Sequence, residues 1–387
     1  MKRVYLDHAA TTPLDPRVLE AMLPYLKDGF GNASSVHTLG RKARFAVEEC
    51  RERIAALVGA EPGEILFTSG GTESNNTALK GGMGIRKGQG LLTSAAEHEA
   101  ILRPAEALGQ TGILVRVVYP NSSGLVTPEQ LRAELEQEEI GLVSIMHVNN
   151  EIGTISPIAD LAQVCQERGI SFHTDAVQSA GHFRLDVQAL GVDLLSLSAH
   201  KFYGPKGVGV LYIRAGQELY PLIQGGSQER KRRGGTENVP AIVGMTRALE
   251  LALSEAGARM NHLATLQERL ITGLQQTVGS RMVINTPMGE REAAPHIVNI
   301  AFPPVDGKPV DGEMLLLNLD MEGVCVSAGS ACTSGALEPS HVLTAIGLDR
   351  YTGSAAVRFS LGKDNTDEDI DYAIDKLDLV LRRMQVL

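Results

Sequence analysis

Residues 142–175 read LVSIMHVNNEIGTISPIADLAQVCQERGISFHTD, and this stretch decides the fold. The apolar run 142–148 gives way to a turn-rich segment, a helical pattern over 158–168, and a second apolar run, 170–174. Runs so short and so apolar read as strands buried on both faces. A helix between two of them is the crossover that parallel strands require. The same alternation continues outward. Runs 64–68, 91–94 and 113–119 lie upstream and 194–198 and 208–213 downstream, with helices or helical turns at 41–57, 74–81, 128–138 and 187–190. Thr127 followed by Pro128 marks one helix with an N-cap and a first-turn proline. Strands separated by helices in this way imply an α/β fold: a mostly parallel, seven-stranded sheet covered on both faces.

From about Pro240 the pattern changes. A helical stretch over 239–277 leads into a smaller α+β C-terminal part with strands near 297–301, 323–327 and 356–360. A last helix follows Thr366, where Thr366 and Asp369 form a capping box. The domain boundary is expected near residue 256, and no internal repeat is present.

Composition narrows the function. Of 387 residues, 43% are hydrophobic and 21% charged, a folded rather than a disordered balance. A formal charge of −10, with 4% aromatics and no Trp, argues against nucleic-acid and anionic-membrane partners. No apolar run approaches the roughly 20 residues that span a bilayer. The N-terminal MKRVYLDHAATTP reaches Asp7 and His8 before any apolar core develops, so no signal peptide is expected. Four cysteines without a Cys-x-x-Cys fit a reducing, cytoplasmic setting and predict neither disulfide scaffold nor metal site.

Ligand sites in parallel sheets lie beyond the carboxyl ends of the strands. After run 64–68 come Ser69-Gly70-Gly71-Thr72-Glu73-Ser74-Asn75-Asn76, a glycine turn opening a helix whose free N–H groups suit a phosphate. It is neither a Walker A nor a Gly-x-Gly-x-x-Gly motif, and a simple capped turn would look the same. His98 follows run 91–94, Asn149 and Asn150 follow 142–148, and Asp175 and Gln178 follow 170–174. A lone histidine such as His98 is more often structural than functional. Asp175 is placed deep enough to need a cationic partner. Ser198, His200 and Lys201 follow 194–198, where burial should depress the lysine and favour amine chemistry; Lys206, in the next loop, better fits a lysine that reaches solvent. An Asp able to pair with a protonated pyridine nitrogen, a desolvated Lys and a phosphate cup together describe a pyridoxal 5′-phosphate site.

The segments YLDHAATTP (5–13), FGNASSVH (30–37), FTSGGTESNN (67–76), MHVNNEIG (146–153), HTDAVQS (173–179), SAHKFYGPKGVG (198–209), RRGGTENVP (232–240), SAGSACTSGALEPSHVL (327–343) and VRFSLG (357–362) run in order through nearly the whole chain. They resemble the class-V aminotransferase group of fold-type I pyridoxal phosphate enzymes, and within it the cysteine desulfurases. The resemblance implies a large cofactor-binding domain over 15–256 and a small domain made of 1–14 and 257–387. It implies that Lys201 carries the cofactor covalently, that Asp175 keeps the pyridine nitrogen protonated, that His98 stacks on the ring and that Gln178 touches its hydroxyl. Gly71, Thr72, Ser198 and His200, with Thr236 from the second subunit of a homodimer, would hold the phosphate. The basic run 230–233 would belong to that reaching loop, although such runs are more often solvated faces. Arg358 and Asn150 would bind the carboxylate of L-cysteine.

Cys50, Cys165 and Cys325 sit in apolar surroundings and read as packing thiols, whereas Cys332 lies among small residues and should be exposed and mobile. The resemblance makes Cys332 the nucleophile that takes the substrate sulfur as a persulfide, leaves alanine and passes sulfur to an acceptor protein. The spacing between Cys332 and His341 is similar to the subgroup with a long cysteine loop, and a cluster iron is the only metal the thiol would ligate, transiently. The chain departs from the family pattern at His8, in the missing proline after Asn32, and in a final segment, 381–387, without the tail that housekeeping relatives use to dock an iron–sulfur scaffold. A selenocysteine lyase would use the same site, and a class-V aminotransferase would need no exposed cysteine.

Overall fold

A computed structural model describes residues 2–289, 292–328 and 339–387. At its centre lies a seven-stranded sheet in the order Ile65–Thr68, Gly209–Ile213, Leu194–Ser198, Ser171–Asp175, Ile140–Ser144, Gly90–Ser94, Val115–Val118. All pairings are parallel except the two made by Gly209–Ile213, which runs antiparallel to both neighbours. Every residue is buried in each strand but the edge strand Val115–Val118, which is why the strands read as continuous apolar runs. One face packs on Thr38–Val58 and Val239–Ser254 through Ile54, Phe172, Leu195 and Met245; the other packs on Glu99–Gln110 through Leu66, Leu91 and Ile101.

The sheet contains one row of polar side chains. His173 bonds Ser144 through Nδ1 (2.8 Å) and Ser196 through Nε2 (3.0 Å), joining three adjacent strands inside the core. Asp175, two residues further along, shares the face of His173.

Several expected elements have different limits. The run 142–148 leaves the sheet at Ser144, because the Asn149 side chain accepts the N–H groups of Glu151 and Ile152 and turns the chain. The helix after the glycine turn begins at Gly71 and continues to Ile85 through a π turn at Thr77–Gly81. The helical stretch 239–277 is two helices, Val239–Ser254 and Ala256–Thr277, broken at Glu255, whose carboxylate pairs with Arg17. Pro16–Lys27 and Glu99–Gln110 were not anticipated; each has an internal proline, Pro24 and Pro104, that masks a helical pattern.

The smaller C-terminal domain holds a three-stranded antiparallel sheet, Ala356–Ser360, Ile297–Ala301 and Val283–Ile284. A parallel pair, Val4–Tyr5 with Val324–Cys325, lies beside it. Ala256–Thr277 and Asp367–Arg383 cover this layer, the latter starting at the Thr366/Asp369 capping box. Val4 and Leu6 pack in the same core as Val298, Phe359 and Leu377. From there the N-terminal segment crosses the carboxyl edge of the large sheet: His8 N–H donates to Ser360 O, Thr12 N–H to His200 O and Asp15 N–H to Tyr203 O. No helix among the described residues is long and apolar enough to cross a membrane.

Two predictions follow from this packing. Gly209 lies where an added Cβ would meet Leu197 O at 2.6 Å and Gly70 backbone at 2.7 Å. Gly209→Ala should therefore lower unfolding stability by about 1–3 kcal/mol in denaturant titration, since neither contact is a side chain that can yield. His8, His173, His182 and His296 are buried, and His182 stacks on His296 with ring centroids 3.9 Å apart. Burial holds His8 at about 4, His173 and His296 at about 3, and His182 well below its ordinary value. A histidine kept neutral in the fold contributes stability that is complete above the unfolded value of about 6.5 and is lost as pH falls toward the folded value. Unfolding at pH 5 should take up about four protons from these groups, so the melting temperature falls steadily between pH 6.5 and 5.

Candidate active site

The strand ends converge on a cavity of about 220 Å³. Gly71, Thr72, His98, Asn150, Asp175, Gln178, Ser198, His200 and Lys201, all named from the sequence, line it together. Asn75, Ala100, Met146 and Val177 complete the wall. Asn75 was legible as lying one helical turn beyond Gly71, on the same side of the helix.

The turn at Gly70 and Gly71 is shaped by close approach. Gly70 adopts φ +149, and a Cβ on Gly71 would come within 2.8 Å of Val177 Cγ2. Only a bare backbone brings the first N–H groups of helix Gly71–Asn76 beside the Ser198 hydroxyl. Glu73 fastens the turn from outside, accepting Ser69 N–H and pairing with Arg233 at 2.9 Å.

Asp175 lies at the carboxyl end of its strand. Its Oδ2 accepts the Asn75 amide at 2.6 Å and its Oδ1 the Val177 N–H at 2.9 Å. Among the described residues Asp175 has these two neutral donors and no ion pair. The Asn75 Oδ1 is buried without a partner among the described residues.

Lys201 Nζ donates to the carbonyls of Ala9 (2.5 Å) and Ala10 (2.9 Å). Burial, with the nearby charge of Arg358, lowers the lysine to about 8 against the opposing pull of Asp175 and Asp7. Gln178 Nε2 donates to the same Ala9 carbonyl at 2.9 Å. These carbonyls are functional groups the sequence could not flag, because a backbone acceptor leaves no side-chain signature. His98 N-caps helix Glu99–Gln110, its Nδ1 accepting Ala100 N–H at 3.0 Å, which leaves Nε2 to carry the proton of the neutral ring. Burial lowers its pKa; it also lowers that of His200, to about 4, and His200 Nδ1 contacts Thr11 Oγ1.

Two expected residues lie apart from the cavity wall. Arg358 is buried behind it, donating to Asn150 O and to Asp7 Oδ1, both at 2.8 Å. Thr236 lines a different cavity of about 200 Å³ together with Thr68, Ser69, Gly207 and Arg233. Only part of the run 230–233 is a solvated face: Arg233 pairs with Glu73, and the preceding Glu229 forms a buried bidentate pair with Arg51. Cys332 lies outside the described residues. Burial raises the thiols of Cys50, Cys165 (to about 12) and Cys325, so none of these three has the electropositive setting of a nucleophile.

The donor set fits pyridoxal 5′-phosphate. Gly71 and Thr72 N–H, the Ser198 hydroxyl and His200 could cup a phosphate, Asp175 could accept from a protonated ring nitrogen, and Lys201, lowered to about 8, is an amine suited to an aldehyde carbon.

Comparison with known proteins agrees. The aminotransferase class-V family model matches residues 4–373. "Cysteine desulfurase IscS" of Dictyoglomus turgidum is 48% identical over 390 residues, covering 100% of this chain and 97% of that protein. Among solved structures, a NIFS-like protein superposes with a TM-score of 0.89 at 38% identity, covering 98% of this chain and 100% of the other. A structure titled "SspA in complex with cysteine" gives a TM-score of 0.80 at 37% identity over 92% and 98%. The cavity at the strand ends and these full-length matches agree: the chain belongs to the aminotransferase class-V family of pyridoxal phosphate enzymes, among the cysteine desulfurases.

Proposed function

We propose that the protein desulfurates L-cysteine: L-cysteine and the Cys332 thiol yield L-alanine and a Cys332 persulfide. The observation that carries this reading is that the Lys201 amine and the Asp175 carboxylate line one cavity, the lysine made available by burial and the nearby Arg358 charge. The cysteine named in the SspA structure's title supports the choice of substrate. Atoms balance without an external oxidant. The carbon–sulfur bond of the substrate breaks and a sulfur–sulfur bond forms, so sulfur is oxidised and the β-carbon reduced.

Bound pyridoxal phosphate supplies an electron sink for the bond cleaved at the substrate Cα. Lys201 would hold it covalently, and its amine would be the base for the Cα proton. Asp175, oriented by Asn75, holds the proton on the ring nitrogen, and Gln178 faces the ring hydroxyl. Gly71, Thr72, Ser198 and His200 hold the phosphate, with Thr236 of the partner subunit in a homodimer. His98 covers the ring face, and its Nε2 is free to carry a proton. Asn150 and Arg358 receive the substrate carboxylate, for which Arg358 exchanges part of its contact with Asp7. Residues 15–256 act as the cofactor domain and 1–14 with 257–387 as the small domain that brings Cys332 to the site. The persulfide then passes to an acceptor protein for iron–sulfur cluster or other cofactor synthesis, in the cytoplasm.

Holoprotein given L-cysteine should form alanine and a persulfide on Cys332 detected by mass spectrometry. Cys332→Ala should retain less than about 1% of the alanine rate, since it removes the nucleophile; a retained rate would overturn Cys332 as the sulfur acceptor. Asp175→Asn should keep the fold yet lose about 10²-fold or more in kcat for alanine formation, because a neutral amide no longer holds the ring proton.

A further inference from the structure

The chain leaves the described residues after Ala328 and re-enters at Pro339, and both flanks are fastened to residues that adjoin the active-site cavity. Upstream, Ser327 and Arg358 exchange backbone hydrogen bonds of 2.7 and 3.3 Å, and the Arg358 guanidinium donates to Asn150 O. Downstream, the Ser340 hydroxyl donates to Glu151 Oε2 while accepting the N–H groups of Val342 and Leu343, as N-cap of helix His341–Ala345. Ser340 is 4% exposed and Glu151 1%. The next residue, His341, bonds the Glu97 carbonyl through Nε2 at 2.7 Å, immediately before His98. Both flanks therefore meet the dipeptide Asn150–Glu151, whose first residue lines the cavity.

We propose that Ser340 is a positioning residue for sulfur transfer: its bond to the buried Glu151 carboxylate fixes the downstream end of the Cys332 segment against the cavity wall. The inference rests on the desulfurase reading. Both partners of this bond are buried, so removing either leaves the other's polar group without a partner, which costs more than the bond itself contributes. Its geometry is set by packing on both sides, so it restricts where the chain joining Ser340 to Cys332 starts. Neither Ser340 nor Glu151 lines the cavity. Their loss should therefore leave cofactor and L-cysteine binding intact and slow only the step that needs the thiol in place.

The test uses pyridoxal phosphate-loaded protein. Half-saturation by L-cysteine is read from the cofactor absorbance, and Cys332 persulfide from single-turnover mass spectrometry. Ser340→Ala should slow persulfide formation about tenfold or more with half-saturation changed less than twofold, and Ser340→Thr, which keeps the hydroxyl, should return the rate to within about threefold of wild type. Glu151→Gln should slow the same step, and the Ser340→Ala/Glu151→Gln double variant should lose no more than Ser340→Ala alone, as expected of one shared contact. A wild-type rate in Ser340→Ala, an additive double variant, or parallel losses in half-saturation and rate that Ser340→Thr does not rescue would each overturn the positioning role while wild type still makes alanine. Wild type that makes no alanine overturns the desulfurase reading itself.

Discussion

A lysine that works as an amine must be taken out of water, and the contact between Lys201 and the Ala9 and Ala10 carbonyls is how this fold does it. Two carbonyls compensate part of the desolvation without adding a negative charge, so the amine is anchored while its pKa stays depressed. An aspartate in their place would have restored the charge and removed the chemistry. The contact also binds the two parts of the molecule together, because residues 4–6 of the same segment belong to the C-terminal core. The site is finished only when the first turn of chain, packed with the last third of the sequence, lies across the large sheet.

The sheet imposes the other constraint. Six strands aim their carboxyl ends at one edge, which is what gathers Asp175, Lys201 and His98 from distant parts of the chain. The antiparallel Gly209–Ile213 then brings its first residue back to that edge, hard against Gly70. The glycine turn at the cavity is thereby backed by main chain on one side and by Val177 on the other, and it has no room to relax.

Much of this was legible in the sequence. Strands buried on both faces give uninterrupted apolar runs, so six of the seven stand out for that reason, and polar residues directly after them name the cavity wall. What escaped did so for physical reasons. Backbone acceptors at Ala9 and Ala10 have no residue signature. The Asn75 amide on Asp175 joins residues 100 positions apart, a pairing that spacing along the chain does not show. The engagement of Arg358 with Asp7 joins residues 351 positions apart, a pairing that only the small-domain fold creates. The direction of Gly209–Ile213 was readable after all, since ten residues between Ser198 and Gly209 are too few for a parallel crossover.

The polar row Ser144–His173–Ser196 bears on how the sheet finds its alignment. Strands so uniformly apolar would bury as much surface if one slid along its neighbour by two residues, so oil-like attraction alone is nearly blind to that error. The imidazole is not. Displaced by two residues it would meet Leu142 or Met146 on one side, stranding its nitrogens in a medium with nothing to offer them. One histidine thus serves as a vernier for the central strands, and Asp175, two residues beyond it, takes its depth in the site from that alignment.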